Sequence, residues 1–196
     1  MRSGITDKLI TDALRYMRVP PEGRSEELAR TVSEAFARLE GVITPRIVWG
    51  RFHAGHFDGG IELEGGKIYS RDIARLTSRS SDCYVLAATL GHETDRQIAL
   101  EQRRNMLDGL ALDACASVMV DAFVDDAVRG EIVPSLAVGE RLTSRFSPGY
   151  GDLNMNVTED IIAVLDATKR IGLSVTRSLM MSPVKSVTAI IGLFRE

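Results

Sequence analysis

The run Cys83-Tyr84-Val85-Leu86-Ala87-Ala88-Thr89-Leu90 constrains the fold more than any other stretch of this chain. It carries no charge, follows the polar Ser80-Ser81-Asp82 and stops at Gly91. It is too short for a stable helix, and an apolar run without alternation has no solvent face. The run therefore predicts a central buried strand, and other elements must cover both of its faces. A chain of 196 residues has material for one domain with a substantial core.

The flanking segments supply those covers. Thr6 is placed to cap a helix from Asp7 to about Met17, with Ile10, Ala13, Leu14 and Met17 on one face. Val19-Pro20-Pro21-Glu22-Gly23 ends it. A second helix is predicted from Ser25 to Leu39, stopping before Gly41, on the apolar spacing of Leu28, Val32, Ala35 and Leu39. Ile43 to Phe52 reads as β. Ile61 to Tyr69 reads as a short hairpin turning at Glu64-Gly65-Gly66-Lys67, and Ser70 as the cap of a brief helix, Arg71 to Leu76. Glu93 to about Arg103 is a polar helix. Met106 to Val128 is a long helix whose stripe (Leu107, Leu110, Ala111, Ala114, Val118, Ala122), widened by Cys115, Met119 and Phe123, implies packing on more than one side.

The final third alternates again. Leu142 to Phe146 is predicted as a strand. Asn156-Val157-Thr158-Glu159 has the spacing of a capping box for a helix that ends near Lys169-Arg170 and stops at Gly172. Val175 to Met181 and Ser186 to Leu193 are predicted as two strands joined by a Ser-Pro turn. The fold class expected is α+β, with a mixed or antiparallel sheet flanked by helices and a helical N-terminal extension. The boundary is placed between residues 1–42 and 43–196.

Composition narrows the function. The 44% apolar and 26% charged residues are those of a globular protein. A net charge of −3 gives no electrostatic reason to bind nucleic acid or an anionic membrane. No apolar run has the length of a membrane span, and Met1 to Lys8 lacks the apolar core of a signal peptide, so the expected location is the cytoplasm. Cys83 and Cys115 lie in apolar patterns without C-x-x-C spacing and are expected to pack as small hydrophobes.

Motifs for common chemistries are missing. The sequence contains no G-x-G-x-x-G, Walker A, H-E-x-x-H or G-x-S-x-G. It also lacks the D-x-H-x-x-G of cobalt-ligating cobalamin domains. His53 and His56 form an H-x-x-H pair in a glycine-containing stretch read as a surface loop, with no third ligand in view. Glu93 and Asp95 in the first turn of a helix are explained by the helix dipole. No catalytic residue and no metal site are predicted.

Two segments stand out as a ligand site. Arg145-Phe146-Ser147-Pro148-Gly149-Tyr150 sets a guanidinium beside a Pro-Gly turn, next to the small polar loop Gly151-Asp152-Leu153-Asn154. A guanidinium fork suits a carboxylate or phosphate, and glycine lets the backbone approach a ligand closely. Met181-Ser182-Pro183-Val184-Lys185-Ser186-Val187-Thr188 bends between two apolar runs with Lys185 and Ser186 at the bend. Together they predict a site for a small polar ligand, formed by Arg145, Ser147, Pro148, Gly149, Tyr150, Lys185 and Ser186.

Read as R-x-x-x-G-Y followed by Lys169-Arg170-Ile171-Gly172, Met181-x-Pro183 and Ser186-Val187-Thr188, this order resembles the activation domain of vitamin B12-dependent methionine synthase. The Thr89-Leu90-Gly91 strand end and the helix carrying Leu112-Asp113-Ala114 extend the likeness over roughly residues 80 to 193. The resemblance implies a C-shaped domain that binds S-adenosylmethionine, with Arg145 on the ligand carboxylate and the backbone from Ser147 to Tyr150 on its adenine and amino-acid portions. It implies an accessory role in methionine biosynthesis: reductive reactivation by methylation of cobalamin held by a separate corrinoid methionine synthase or related corrinoid protein. A flavodoxin-type protein or another donor would supply the electron. An open groove lined by Arg145, Gly149, Tyr150 and Lys185 is expected, with the Met106–Val128 helix behind the sheet. Where that family has a Trp-Tyr pair in its last strand, this chain reads Ile190-Ile191. Two other functions stay open at this level: a scaffold for a corrinoid protein without the ligand, and a small-molecule enzyme reusing the cleft.

Overall fold

The central strand has neighbours on both edges and cover on both faces. In the computed structural model, which describes residues 6–64 and 66–196, it is β5 (Ser80–Thr89), flanked by β1 (Arg46–His53) and β9 (Ser186–Arg195). The sheet order is β1-β5-β9-β6, with β6 spanning Glu140–Leu142, and every pairing is antiparallel. The missing alternation in β5 now has its cause. Cys83, Val85 and Ala87 enter one buried cluster and Tyr84, Leu86 and Ala88 another on the opposite face.

The first face is covered by α6 (Val157–Val164) and α7 (Ala167–Ile171), together with the meander β2 (Gly55–Phe57), β3 (Gly60–Leu63) and β4 (Gly66–Tyr69) and the short α3 (Arg71–Leu76). The second is covered by the C-terminal part of α5 (Met106–Ala127) and the π-helical turn Val128–Ile132 that follows it. A third cluster packs α1 (Asp7–Tyr16), α2 (Glu26–Glu40) and α4 (His92–Arg104) around the rest of α5, reaching Leu90 at the strand end. Thr6, Ser25 and Ser70 cap α1, α2 and α3 through their side chains, as those residue types do. The architecture is thus α+β, with antiparallel sheets flanked by helices and a helical N-terminal segment. Among the described residues no helix is long and apolar enough to cross a membrane.

Several local expectations are corrected. Leu107 and Leu110 lie outside the buried stripe of α5, whose packed residues include Gly109, Leu112, Ala116 and Val120 instead. The 3.6-residue pattern was ambiguous here because α5 is apolar on most sides. The predicted Leu142–Phe146 strand breaks after Leu142. Thr143 N still donates to the Gly192 carbonyl, but Thr143 Oγ1 takes the amide of Gly192 in return, and two-way backbone pairing resumes at the Phe146–Ile190 bridge. Asn156 makes no side-chain cap, and the helix beyond it divides into α6 and α7 where Asp166 adopts φ 49°. Val175 to Met181 is no strand. Ser174–Val175 (β7) and Met181–Ser182 (β8) form a small hairpin, and the Thr176–Met180 segment is its turn. The hairpin predicted over Ile61–Tyr69 forms as β3 and β4, and β2 adds a third strand that was not foreseen. His56 sits on β2 with Nε2 2.8 Å from the Thr77 carbonyl, and His53 ends β1, so neither occupies a loop. Gly65, in the predicted hairpin turn, and residues 1–5 lie outside the described residues.

Both cysteines are free and fully buried. Desolvation pushes each thiol up to about 12. The thiolate is the reactive species, so neither is expected to react with Ellman's reagent in the native protein at pH 8. Both should react after unfolding in guanidinium. Rapid native labelling of either would contradict the packing of β5 or α5.

Candidate functional site

A cavity of about 470 Å³ opens beside the first residues of β9. Its volume lies in the range of small-molecule sites. Three segments distant in sequence build it: Arg145–Pro148 with Tyr150, Val184–Thr188, and the α5 residues Ser117, Val120 and Asp121. The long helix packs on the sheet as expected, and α5 also forms a wall of the cleft. The rim is open to water, since Tyr150 is 67% and Val184 52% exposed.

Arg145, Ser147, Pro148, Tyr150, Lys185 and Ser186 all line this one cavity; Gly149 does not. Gly149 instead makes the turn. Pro148 and Gly149 are its central residues, Tyr150 N donates to the Ser147 carbonyl at 3.2 Å, and Gly149 has φ 91°, which a side chain tolerates poorly. The amides of Gly149 and Tyr150 are thus used within the loop, on Leu153 O and Ser147 O. What the turn delivers to the cavity is side chains. Its far end is anchored by Asp152, whose carboxylate accepts from Ser70 Oγ and from the amides of Arg71 and Asp72 at the start of α3. Those bonds, that from Ser70 foremost, hold the Asp152 carboxyl below its ordinary range.

Arg145 projects from the edge beside β9 into the cavity. Its Nη2 lies 3.1 Å from Asp121 Oδ1 and 3.5 Å from Asp125 Oδ1, while Nη1 is buried with no hydrogen-bond partner. Tyr16, at the end of α1, enters the same cavity and donates its hydroxyl to Asp121 Oδ2 at 3.0 Å. Desolvation and then the Asp121 charge push the Tyr16 phenol up to about 12, so it remains a donor at physiological pH.

Lys185 is held just as firmly. Asp95, in the first turn of α4, accepts from the amides of Val184 at 2.7 Å and Lys185 at 3.3 Å. The Lys185 ammonium meets Asp113 at 2.9 Å and Ser117 Oγ at 3.0 Å. Ser186 Oγ donates to the Pro183 carbonyl. The Lys185 side chain is only 11% exposed and Asp113 42%, which makes the pair asymmetric. Asp113→Ala strands a buried ammonium and is expected to cost about 1–3 kcal/mol. Lys185→Met leaves a carboxylate that water still reaches, and should cost less. Denaturant melts of both variants and the double variant check this; the double should be more stable than Asp113→Ala alone.

The residues sequence reasoning missed are mostly on one helix. Asp113, Ser117, Asp121 and Asp125 recur every fourth residue, so they share one face of α5. That polar line within an apolar helix was a readable signal. Tyr16 had none: it ends an amphipathic helix far away in sequence. Ile190 and Ile191 are core residues and take no part in the cavity wall.

No family model matches the chain. No curated protein matches it. Among solved structures, one described as the crystal structure of the MetH reactivation domain bound to AdoHcy aligns with a TM-score of 0.66 and 18% identity, over 91% of this chain and 68% of that one. At that identity the likeness establishes a shared fold: the chain has the fold of that reactivation domain.

Proposed function

We propose that this protein binds S-adenosylmethionine in the cavity beside β9 and serves as an accessory subunit for reductive reactivation of cobalamin on a separate corrinoid methionine synthase. The observation that carries the reading is Arg145. Its guanidinium lines a cavity of small-molecule size and keeps a buried Nη1 donor without a partner. Such an orphaned donor costs about 1–3 kcal/mol, and a ligand carboxylate drawing the guanidinium round would satisfy it. The shared fold with a reactivation domain bound to AdoHcy, the demethylated form of the same molecule, supports the same ligand class.

S-adenosylmethionine would supply a transferable methyl group. The protein's part is to bind and present it. Arg145 orients the amino-acid end. Ser117, Ser147, Thr158, Thr188, Met155 and Met181 line the rest of the wall. Methyl transfer to a cofactor on another protein needs close approach of the two centres, and the open rim at Tyr150 and Val184 suits docking of a corrinoid protein over the cleft. The electron would come from a flavodoxin-type protein or another donor, and the setting expected is the cytoplasm.

Titration calorimetry tests the ligand. Wild-type protein is expected to bind S-adenosylmethionine, and Arg145→Ala to weaken binding by about 10–100-fold, the loss of a charge-assisted contact. Wild-type protein that binds none at millimolar ligand would remove the function proposed.

A further inference from the structure

We propose that the open edge of β1 is a docking site for an extended segment of a partner protein, with acidic residues at alternate positions, which joins the 4-stranded sheet as a further strand. The surface lies apart from the cavity beside β9, whose lining includes no residue of β1 or α7. The inference therefore stands independently of the ligand.

β1 is an outer strand with one bonded side. The Ala54 amide donates to the Ser81 carbonyl at 3.0 Å, and the register sets Phe52 opposite Cys83 and Val48 opposite Ala87. Antiparallel pairs alternate between bonded and non-bonded, so Arg46, Val48, Gly50 and Phe52 spend their backbone groups on β5. Ile47, Trp49, Arg51 and His53 turn theirs to the open side, where they take no partner among the described residues. Neither proline nor a bulge interrupts the strand. Unpaired edge groups of this kind template another strand. Main-chain bonds supply the affinity, and alternate side chains the specificity.

The two faces beside this edge differ in charge. α7 packs over β1 on the side of Val48 and exposes Lys169 and Arg170. Arg46 shares that side of the strand and is exposed as well. None of the three forms an ion pair among the described residues, not even with Asp166 at the start of α7. On the opposite face Ile47 and Trp49 are half-buried. Trp49 gives its indole N–H to Glu131 at 2.9 Å, and Arg51 is neutralised by Asp82 and Glu140. An incoming strand thus meets unpaired cations on one face and an apolar shelf on the other. Side chains alternate along a strand, so the segment that fits carries Asp or Glu at every second position with apolar residues between. The same cations oppose a second copy of this chain, because two β1 strands side by side would bring both sets together.

Fluorescence anisotropy with a labelled, end-blocked hexapeptide of alternating glutamate and valine tests this. Wild-type protein is expected to bind it. A lysine–valine hexapeptide, and the glutamate–valine peptide N-methylated along its backbone, are expected not to bind. The double variant Lys169→Glu, Arg170→Glu should weaken binding about tenfold or more and leave the melting temperature unchanged. Ile47→Pro removes one donor from the open side and no bond to β5, and should weaken binding likewise. Hydrogen exchange reads the edge without any substitution: the peptide should slow the amides of Ile47, Trp49 and Arg51 and leave those bonded to β5 as they were. No binding at millimolar peptide, equal binding of the N-methylated peptide, or unchanged exchange at Ile47, Trp49 and Arg51 would overturn the proposal. So would a dimer in size-exclusion chromatography that Ile47→Pro dissociates, which would assign the edge to a second copy.

Discussion

Phe36→Ala is expected to destabilise the whole protein by about 3–5 kcal/mol, the usual loss for a buried phenylalanine. Phe36 is 2% exposed on α2 and belongs to the cluster that joins α1 and α2 to α5. For a chain of this length the loss corresponds to a drop in melting temperature of roughly 6–20 °C. The form of the transition matters as much as its midpoint. The sequence places over residues 1–42 a helical extension packed on the core. The buried residues Ala13, Leu14, Val32 and Leu39 share their cluster with Leu112, Cys115 and Met119 of α5, and α5 also covers the sheet. Far-UV circular dichroism and Trp49 fluorescence should therefore report one transition, shifted in the variant. Two transitions, with only the first displaced by Phe36→Ala, would show that the N-terminal helices unfold on their own.

Gly109→Ala should destabilise, although helix propensity alone predicts the reverse. Alanine in a helix is worth about 1 kcal/mol over glycine. At Gly109, however, an added Cβ would stand 2.7 Å from the backbone N and Cα of Gln102. That is backbone of α4, which cannot turn aside as a side chain would. Overpacking of this kind costs about 1–3 kcal/mol, and Gly109→Val should reach the upper end or exceed it. The effect should also reach the ligand site. Pushing α4 away from α5 moves Asp95, whose carboxylate holds the amides of Val184 and Lys185. Loss of S-adenosylmethionine affinity is thus expected in Gly109→Ala at temperatures where the protein is still folded. A stabilised Gly109→Ala would mean that the two helices do not touch as described.

Those two sites show how legibility divides. The buried strand β5, the capped helices α1 to α3 and the length of α5 were readable because each depends on local spacing and cap chemistry. The Arg145 and Lys185 segments were readable as a pair of polar bends, and they do meet in one cavity. Where two interpretations share the same residue types, local pattern could not choose. Thr143 puts its hydroxyl in place of a ladder bond, Asp166 divides a helix at a left-handed residue, and Gly55–Phe57 pairs as a strand although it reads as loop. The polar face of α5 was visible as a four-residue spacing, yet only the fold turns that face to Arg145 and Lys185. Tyr16 and Asp95 act across more than eighty residues of sequence, and nothing local marks such partners.

The central claim, that the cleft between α5 and the Arg145 and Lys185 segments is the S-adenosylmethionine site, is tested most directly by a crystal structure grown with S-adenosylhomocysteine. The expected result is the ligand in that cleft, with its carboxylate on Arg145. Ligand bound elsewhere on the protein, or an Arg145–Asp121 pair unchanged in crystals grown with millimolar ligand, would contradict it.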